Sequence, residues 1–448
     1  MARDLINGNI TKTILALSWP TMIAMLLQVG FNIVDTIFVG RLGPEAIAAV
    51  SIVFPVVFLM FALGGGLGIG TTSLIARYIG AERVAEADNA AEHSFIIAIV
   101  LSILFTISGL LFADKLFFLM GATPEVIGLA SNYSRWIFGF SLFMFIGLAA
   151  ISILRGLGDM KTPMIGMVIA TVLNIILDPL LIFGIGPFPE LGIDGAALAT
   201  VISRFLAVII MMGFIFSSIT KVSIKPRHFK FRKFLIKEIL RVGIPSSINQ
   251  SMMSLAIMVI TRIVAFFGPI AIAAYGIAFR VESLVILPIL GIATAVITMV
   301  GQNVGAKRFS RAERSVWAAA KISAIFVLPI AVLLFIFPGP IYSIFSNDAL
   351  LISYGIDLLR ILSPIYIFAA VAINIASAFQ GAGHATPALV MTALRLFIFS
   401  IPLALLFSFT LGFGLNGVWI GAALATFFSS IISMIWFKMG TWKKETLK

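Results

Sequence analysis

Two aspartates stand inside long apolar stretches of this chain, Asp35 within FNIVDTIFV and Asp178 within LNIILDPLLIF. An ionisable side chain inside a membrane-crossing helix costs roughly 2.5–3.5 kcal/mol on insertion scales, so such a group normally has a purpose. Helical spacing widens each acid into a polar stripe. Gln28, Asn32 and Asp35 stand at i, i+4 and i+7, and Thr171, Asn174 and Asp178 at i, i+3 and i+7. Carboxylate, amide and hydroxyl oxygens facing one another make a cavity of hard ligands. Such a cavity suits Na+, or it houses a carboxylate that takes up a proton and gives it back. Both options amount to picking up and releasing a cation. The plainer alternative, that these groups only hydrogen-bond helices together, stays open, above all for Gln28.

Residues around the acids fit a mobile, adaptable site. Pro20 shares a helical segment with Asp35, and a proline in a helix interior removes a backbone hydrogen bond and favours a kink. A cation bound at Asp35 is thereby placed to couple to bending. Pro179 weakens the helix directly after Asp178. Met25, Met167, Met252 and Met253 fall on or near the stripes, where flexible thioethers form compliant walls for varied apolar cations, although each is equally an ordinary packing residue. Gly64, Gly65, Gly66, Gly68 and Gly70 read as close helix packing; no GxxxxGK[ST] motif and no other ATPase signature is present, which leaves an ion gradient as the energy source. Arg262, Arg280, Glu282, Asp357, Arg360 and Arg395 read as structural or interfacial charges, with Arg280 and Glu282 too close along their helix to face each other.

The elements that must position these groups are membrane-spanning helices. The chain has 448 residues, 60% hydrophobic and 11% charged, with a mean hydropathy of +1.13. A soluble domain carries roughly 25% charged residues. Apolar runs of about 20 residues recur throughout, each long enough to cross roughly 30 Å of hydrocarbon as a helix. Backbone groups in lipid must be satisfied internally, and no alternating ten-residue segments of a β-barrel appear. The expected fold is all-α and polytopic, with twelve spans near 14–39, 46–75, 93–113, 133–155, 163–183, 195–219, 243–267, 271–302, 315–337, 353–379, 386–410 and 415–437. The first apolar segment lacks a convincing cleavage site and reads as the first span.

The formal net charge of +12 follows topology. Lys and Arg gather on alternate loops: Arg77 and Arg83; Lys221, Lys225, Arg227, Lys230, Arg232, Lys233, Lys237 and Arg241; Lys307, Arg308, Arg311 and Arg314; and Lys443, Lys444 and Lys448. The positive-inside rule then puts both termini in the cytoplasm, with the basic run serving topology and lipid headgroups and not a nucleic acid. Cysteine is absent, which excludes disulfides and thiol chemistry, and three histidines, His93, His228 and His384, form no catalytic motif.

The sequence repeats itself. A shift of 225 places Gly43–Val50 (GPEAIAAV) on Gly268–Tyr275 (GPIAIAAY), Pro20 on Pro245, and Arg155-Gly156-x-Gly158 on Gln380-Gly381-x-Gly383. GAALAT occurs at Gly195–Thr200 and again at Gly421–Thr426. The expected organisation is two pseudo-symmetric six-helix bundles, 1–220 and 243–448, joined by a basic cytoplasmic linker, 221–242. Apolar positions around Ile260 and Ile401 answer the two acids, so the acidic site belongs to the first half alone.

Four elements together carry a family resemblance: the Pro20…Gln28…Asn32-x-x-Asp35 helix followed by VGRLGP, the RGxGDMKTP turn at Arg155–Pro163, the LNIILDPLLIFG helix, and the repeated GAALAT. Over nearly its full length the chain resembles the multidrug and toxic compound extrusion transporters, most nearly the branch named for DNA-damage-inducible proteins. The resemblance implies a secondary antiporter, not an enzyme, that exports cationic or amphiphilic drug-like molecules in exchange for H+ or Na+ by alternating access. It implies no cofactor, a monomer in the plasma or inner membrane, and a cation site in the N-terminal half. Asp35, Asn174 and Asp178 match that site, Thr200 matches its sixth-helix hydroxyl and Tyr133 a nearby fourth-helix tyrosine. If the ion is Na+, its ligands are Asp35, Asn174, Asp178 and Thr200. Substrate is expected to meet Gln28, Asn32, Met25, Tyr133, Met167 and Thr171, with Pro20 as the bending point. The other large branch uses carboxylates in spans seven and ten, and SSINQSMMSLAIM and IYIFAAVAINIAS have none. A flippase for a lipid-linked precursor is the alternative, and it calls for a cationic central cavity where the first half here is acidic. A channel would pass ions at rates no alternating carrier reaches.

Overall fold

The computed structural model describes residues 5–217 and 230–443. Lys221, Lys225, Arg227, His228, Lys444 and Lys448 lie outside the described residues, as does much of the expected linker. Among the described residues every long element is helical. Eleven helical segments are long and apolar enough to cross a membrane, and one bent pair makes a twelfth. The first six spans are α1 (Ile10–Gly40), α2 (Pro44–Gly80), α3 (Val84–Leu119), the pair α4 (Pro124–Gly139) and α5 (Ser141–Gly156), α6 (Lys161–Phe183) and α7 (Ile193–Phe216). The second six are α8 (Lys233–Ala265), α9 (Pro269–Gly305), α10 (Phe309–Ile336), the run containing α12 (Ala349–Leu362) and α13 (Tyr366–Gly381), the run from α14 (Ala385–Ala393) through α15 (Ile401–Leu405), and α16 (Leu415–Lys438); the short α11 (Pro338–Ser343) precedes α12.

Three spans depart from regular helix: the tenth carries a 3-10 turn at Ser363–Ile365 between α12 and α13, and the fourth and eleventh each have a local cause. Span four was expected as one segment from 133; it starts at Pro124 and bends by 49° between Gly139 and Ser141. Hydroxyls of α3 and α5 support the break. Thr106 Oγ1 donates to the Phe138 carbonyl at 2.7 Å and lies 2.9 Å from Ser141 Oγ, which in turn donates to the Ser102 carbonyl at 3.1 Å. Carbonyls released at a helix break must find other donors when water is excluded. In span eleven two π-helical stretches, Leu394–Ser400 and Leu406–Thr410, flank α15. Pro402 lacks the backbone N–H that would continue a regular ladder, and the wider turns accommodate it.

The described chain divides into two compact units. One is built from residues 23–244, the other from residues 5–22 with 245–443. The division falls beside Pro20 and at Pro245, so the first turns of α1 count with the second unit and the first turns of α8 with the first. Each unit has its own core. In the first, Phe117, Phe138, Phe145 and Ile182 are buried among small residues such as Ala49, Ala130 and Ala196. In the second, Tyr342, Tyr366 and Trp419 fill one cluster and Phe379, Phe437 and Trp442 another.

Small residues set the helix spacing. A Cβ on Gly195 would collide with the Leu181 carbonyl, so α7 lies directly on the backbone of α6. In the second unit a Cβ on Gly421 would collide with the backbone of Ala404, which brings α16 onto α15 in the same way. The duplicated GAALAT thus marks the same tight seam in each half, as expected where helices associate by packing and not by exclusion of water. Gly64 and Gly68 of α2 similarly face Leu148 and Ser152 of α5.

The backbone repeats with the sequence. Gly43 and Gly268, Gly158 and Gly383, and the non-glycine pair Glu82 and Lys307 all take positive φ. Glu82 (φ 60°) and Lys307 (φ 57°) sit in matching turns, closed by Arg83 N to Tyr78 O at 2.9 Å and by Arg308 N to Asn303 O at 2.8 Å. A left-handed conformation is uncommon in residues with a Cβ, so its recurrence at the 225 shift is a backbone counterpart of the sequence repeat.

Each unit also clasps a helix start. In the first, His93 lies well inside α3, which begins nine residues earlier than expected; its Nε2 accepts the Arg232 N–H at 2.8 Å while Nδ1 lies 2.7 Å from the Asn89 carbonyl. Arg77 of α2 faces Glu238 of α8 at 3.9 Å with both side chains buried. In the second unit Arg308 donates to Asn7 Oδ1 at 2.7 Å and Arg311 to the Gly8 carbonyl, ahead of α1.

Candidate functional site

Asp178 and Asn174 lie one turn apart on α6 and are both fully buried, and Asn174 Nδ2 donates to Asp178 Oδ1 at 2.9 Å. Thr171, one turn earlier, is buried on the same helix, and Asp35 of α1 is buried with 9% exposure. Four oxygens of this set have no hydrogen-bond partner: Asp35 Oδ1, Thr171 Oγ1, Asn174 Oδ1 and Asp178 Oδ2. Leaving a buried acceptor unmet costs about 1–3 kcal/mol, more if it is charged.

The elements converge within the first unit. Phe38 of α1 meets Phe183 of α6 edge to face, with ring centroids 6.4 Å apart. Asp35 and Asp178 interact electrostatically, and Tyr133 of α4 interacts with both. Tyr133 is buried at 7% exposure, and its ring packs in the core of this unit. Thr200 is buried on α7, across the seam that binds α7 to α6.

Not every expected residue joins the cluster. Gln28 Nε2 donates to Asn32 Oδ1 at 3.2 Å, and Asn32 is exposed while Asp35, three residues on, is buried. The first stripe therefore splits between two environments, because positions i+4 and i+7 differ by about 60° around a helix. Met25 and Met167 are half-buried, and Pro20 is buried.

One charged residue belongs with the cluster and was missed. Arg204 lies one turn after Thr200 on α7, within VISRFLAVI. Its guanidinium carbon is 5.1 Å from the Phe61 ring centroid and 5.9 Å from that of Phe31, and it interacts electrostatically with Asp35 and Tyr133. A lone arginine in an apolar run was visible in the sequence, but no spacing rule connects it to a carboxylate five helices away. Several charges of the second half have partners of their own. Glu282 interacts with Arg395, Asn416 donates to Asp357 Oδ2 at 3.1 Å, and Arg262 lies 5.0 Å from the Phe266 ring centroid.

Known proteins share this fold. A family model described as MatE matches residues 20–180 and 245–406, one copy in each half of the repeat. The chain is 30% identical over 432 residues to the probable multidrug resistance protein YoeA of Bacillus subtilis, spanning 96% of this chain and 93% of that one. It is 29% identical over 446 residues to the probable multidrug resistance protein NorM of Thermotoga maritima, spanning 98% and 94%. A crystal structure of a MATE protein in complex with MaD3S superposes with a TM-score of 0.92 at 34% identity, covering 98% of both chains. The chain belongs to the MatE family of multidrug efflux transporters, membrane proteins that are not enzymes and need no cofactor.

Proposed function

We propose that this chain is a cation-coupled antiporter that exports cationic or amphiphilic organic molecules in exchange for H+ or Na+. Within the family it falls in the branch named for DNA-damage-inducible proteins, with its coupling site in the first half. It works as a monomer with both termini in the cytoplasm. The observation that carries the reading is the set of four unmet buried oxygens on Asp35, Thr171, Asn174 and Asp178. Two carboxylates in one apolar unit attract a cation strongly, and Thr200 adds a hydroxyl oxygen from the neighbouring helix.

The proposed cycle turns on α1. In the outward-facing state a cation enters and neutralises Asp35, assisted by Asp178, Asn174 and Thr200. The helix then bends near Pro20, the cavity beside Gln28, Asn32, Met25, Tyr133, Met167 and Thr171 shrinks, and substrate leaves. Return to the inward-facing state releases the cation to the cytoplasm. A cation drives such a switch only through its differential affinity for the two states; moving a 1:99 equilibrium to 99:1 takes about 10⁴-fold. The test is efflux of a fluorescent organic cation from proteoliposomes under pH and Na+ gradients imposed separately. One gradient drives export by the wild-type chain, and Asp35→Asn abolishes that response. Gradient-driven export that survives Asp35→Asn removes Asp35 from the coupling role.

A further inference from the structure

The turn joining spans eight and nine repeats the backbone of the turn joining spans two and three, but not its charge. At the shift of 225, Lys307, Arg308, Arg311 and Arg314 stand in the places of Glu82, Arg83, Glu86 and Asn89, so positions that sum to −1 in the first half sum to +4 in the second. The backbone does not require the change, since both turns take the same left-handed residue and the same closing hydrogen bond. Topology does not require it either, since the two turns lie six spans apart and therefore at the same membrane surface. In the first turn Arg83 is answered locally, its Nε and Nη2 donating to Glu86 Oε1 at 3.0 and 2.8 Å. In the second, an arginine replaces that acid. Glu313, the acid of this stretch, meets Lys443 instead, at 2.8 Å.

The four cations line one cavity of about 470 Å³, together with Phe309 and with Ile6 and Asn7 from the segment ahead of α1, and none of its described lining residues is acidic. Ligand pockets run from roughly 300 to 1,000 Å³, so the space suits a small group. Arg308 commits only Nη1 to the protein, donating to the Ile6 carbonyl at 3.1 Å and to Asn7 Oδ1 at 2.7 Å, and its other two nitrogens remain as donors among the described residues. Arg314 is exposed and makes no hydrogen bond or ion pair among the described residues. Guanidinium forks match the oxygens of a phosphate two bonds at a time. Spans begin or end at Gly305, Phe309 and Ile10, which sets the cavity at the membrane surface, with Ile6 and Phe309 as apolar wall beside the charged one. We propose that this cavity binds the phosphate group of an anionic ligand, a lipid headgroup or a soluble phosphate. Arg308 and Arg311 also hold Asn7 and the Gly8 carbonyl, so the bound anion relieves repulsion among the residues that anchor the start of α1.

The experiment uses the full-length chain in a neutral detergent and reads melting by intrinsic tryptophan fluorescence. The probes are dioleoylphosphatidylglycerol, dioleoylglycerol, and sodium phosphate at fixed ionic strength. At least one phosphate-bearing probe raises the melting temperature along a saturable curve, whereas dioleoylglycerol, which keeps the acyl chains and lacks the phosphate, does not. A response to the phospholipid alone identifies a headgroup as the ligand, and a response to sodium phosphate identifies a soluble phosphate. Arg314→Gln, at an exposed position, raises the half-saturating concentration by about fivefold or more, the loss of one charged contact to an anion. Lys237→Gln, which removes an exposed cation from α8 in the other unit, leaves it unchanged. Absence of a saturable response to both phosphate-bearing probes overturns the inference. Equal weakening by the two variants overturns it too, because net charge alone would then be the attraction, as does equal protection by dioleoylglycerol.

Discussion

The buried pair between Arg77 and Glu238 gives a perturbation whose size can be worked out. Arg77 has no exposed side-chain surface, Glu238 has 6%, and the closest approach of their charged atoms is 3.9 Å. That spacing is charge attraction without a direct hydrogen bond, and Glu238 Oε2 has no hydrogen-bond partner. Removing one member of a buried pair costs about 3–5 kcal/mol, because the other charge stays buried. The long separation places Glu238→Gln at the low end, about 3 kcal/mol. Arg241, 3.5 Å from Glu238 but half exposed, adds well under 1 kcal/mol. The pair ties the first turns of α8 to the end of α2, so the cost should appear in α8 as local opening. Amides of residues 234–244 should exchange hydrogen about 150-fold faster in Glu238→Gln, while those of α6 keep their wild-type rate. Replacing both partners, Arg77→Met with Glu238→Leu, should recover most of the loss. Peptide-resolved hydrogen exchange reads all three proteins. Unchanged exchange in Glu238→Gln, or a double variant as labile as the single one, would refute the reasoning.

Two further outcomes are expected. On the Na+ form of the proposed coupling, Asn174→Leu removes one site oxygen and the donor to Asp178, so the Na+ concentration giving half-maximal thermal protection should rise roughly tenfold or more; a titration that responds to Na+ and is unchanged by Asn174→Leu removes Asn174 from the ligand set. Gly195→Ala should lower thermal stability by about 1–3 kcal/mol, because the added Cβ meets the rigid carbonyl of Leu181, whereas Gly213→Ala, with open space around it, should be neutral. Equal melting of the two variants would show that the seam between α6 and α7 tolerates separation.

Much of this molecule was legible in its residues because lipid imposes a simple code. Apolar runs gave the spans, and the repeat at a shift of 225 reappears in the matched left-handed turns at Glu82 and Lys307. Asn174 and Asp178 were legible as a pair because they are one helical turn apart, and a local spacing survives into the fold. Arg204 was not, since its relation to Asp35 depends on how α1 and α7 pack, which periodicity does not encode. The same holds for Glu238, which reads as a surface acid in FLIKEILR and is buried by Arg77 from another helix. The bend in span four depends on Thr106, a hydroxyl on α3 that looks unremarkable in its own segment. Gln28 and Asn32 are the opposite case: a shared stripe on α1 does not guarantee a shared environment with Asp35.

The glycine seam between α6 and α7 sets those two helices backbone against backbone. Asn174, Asp178, Thr200 and Arg204 all stand on this pair, so their mutual spacing is set by one seam. Asp35 arrives on a different carrier, a helix weakened by Pro20. On the proposed coupling, how tightly an ion is gripped is therefore a gauge of where one helix stands, and a transporter built this way would register its own posture through the occupancy of its pocket.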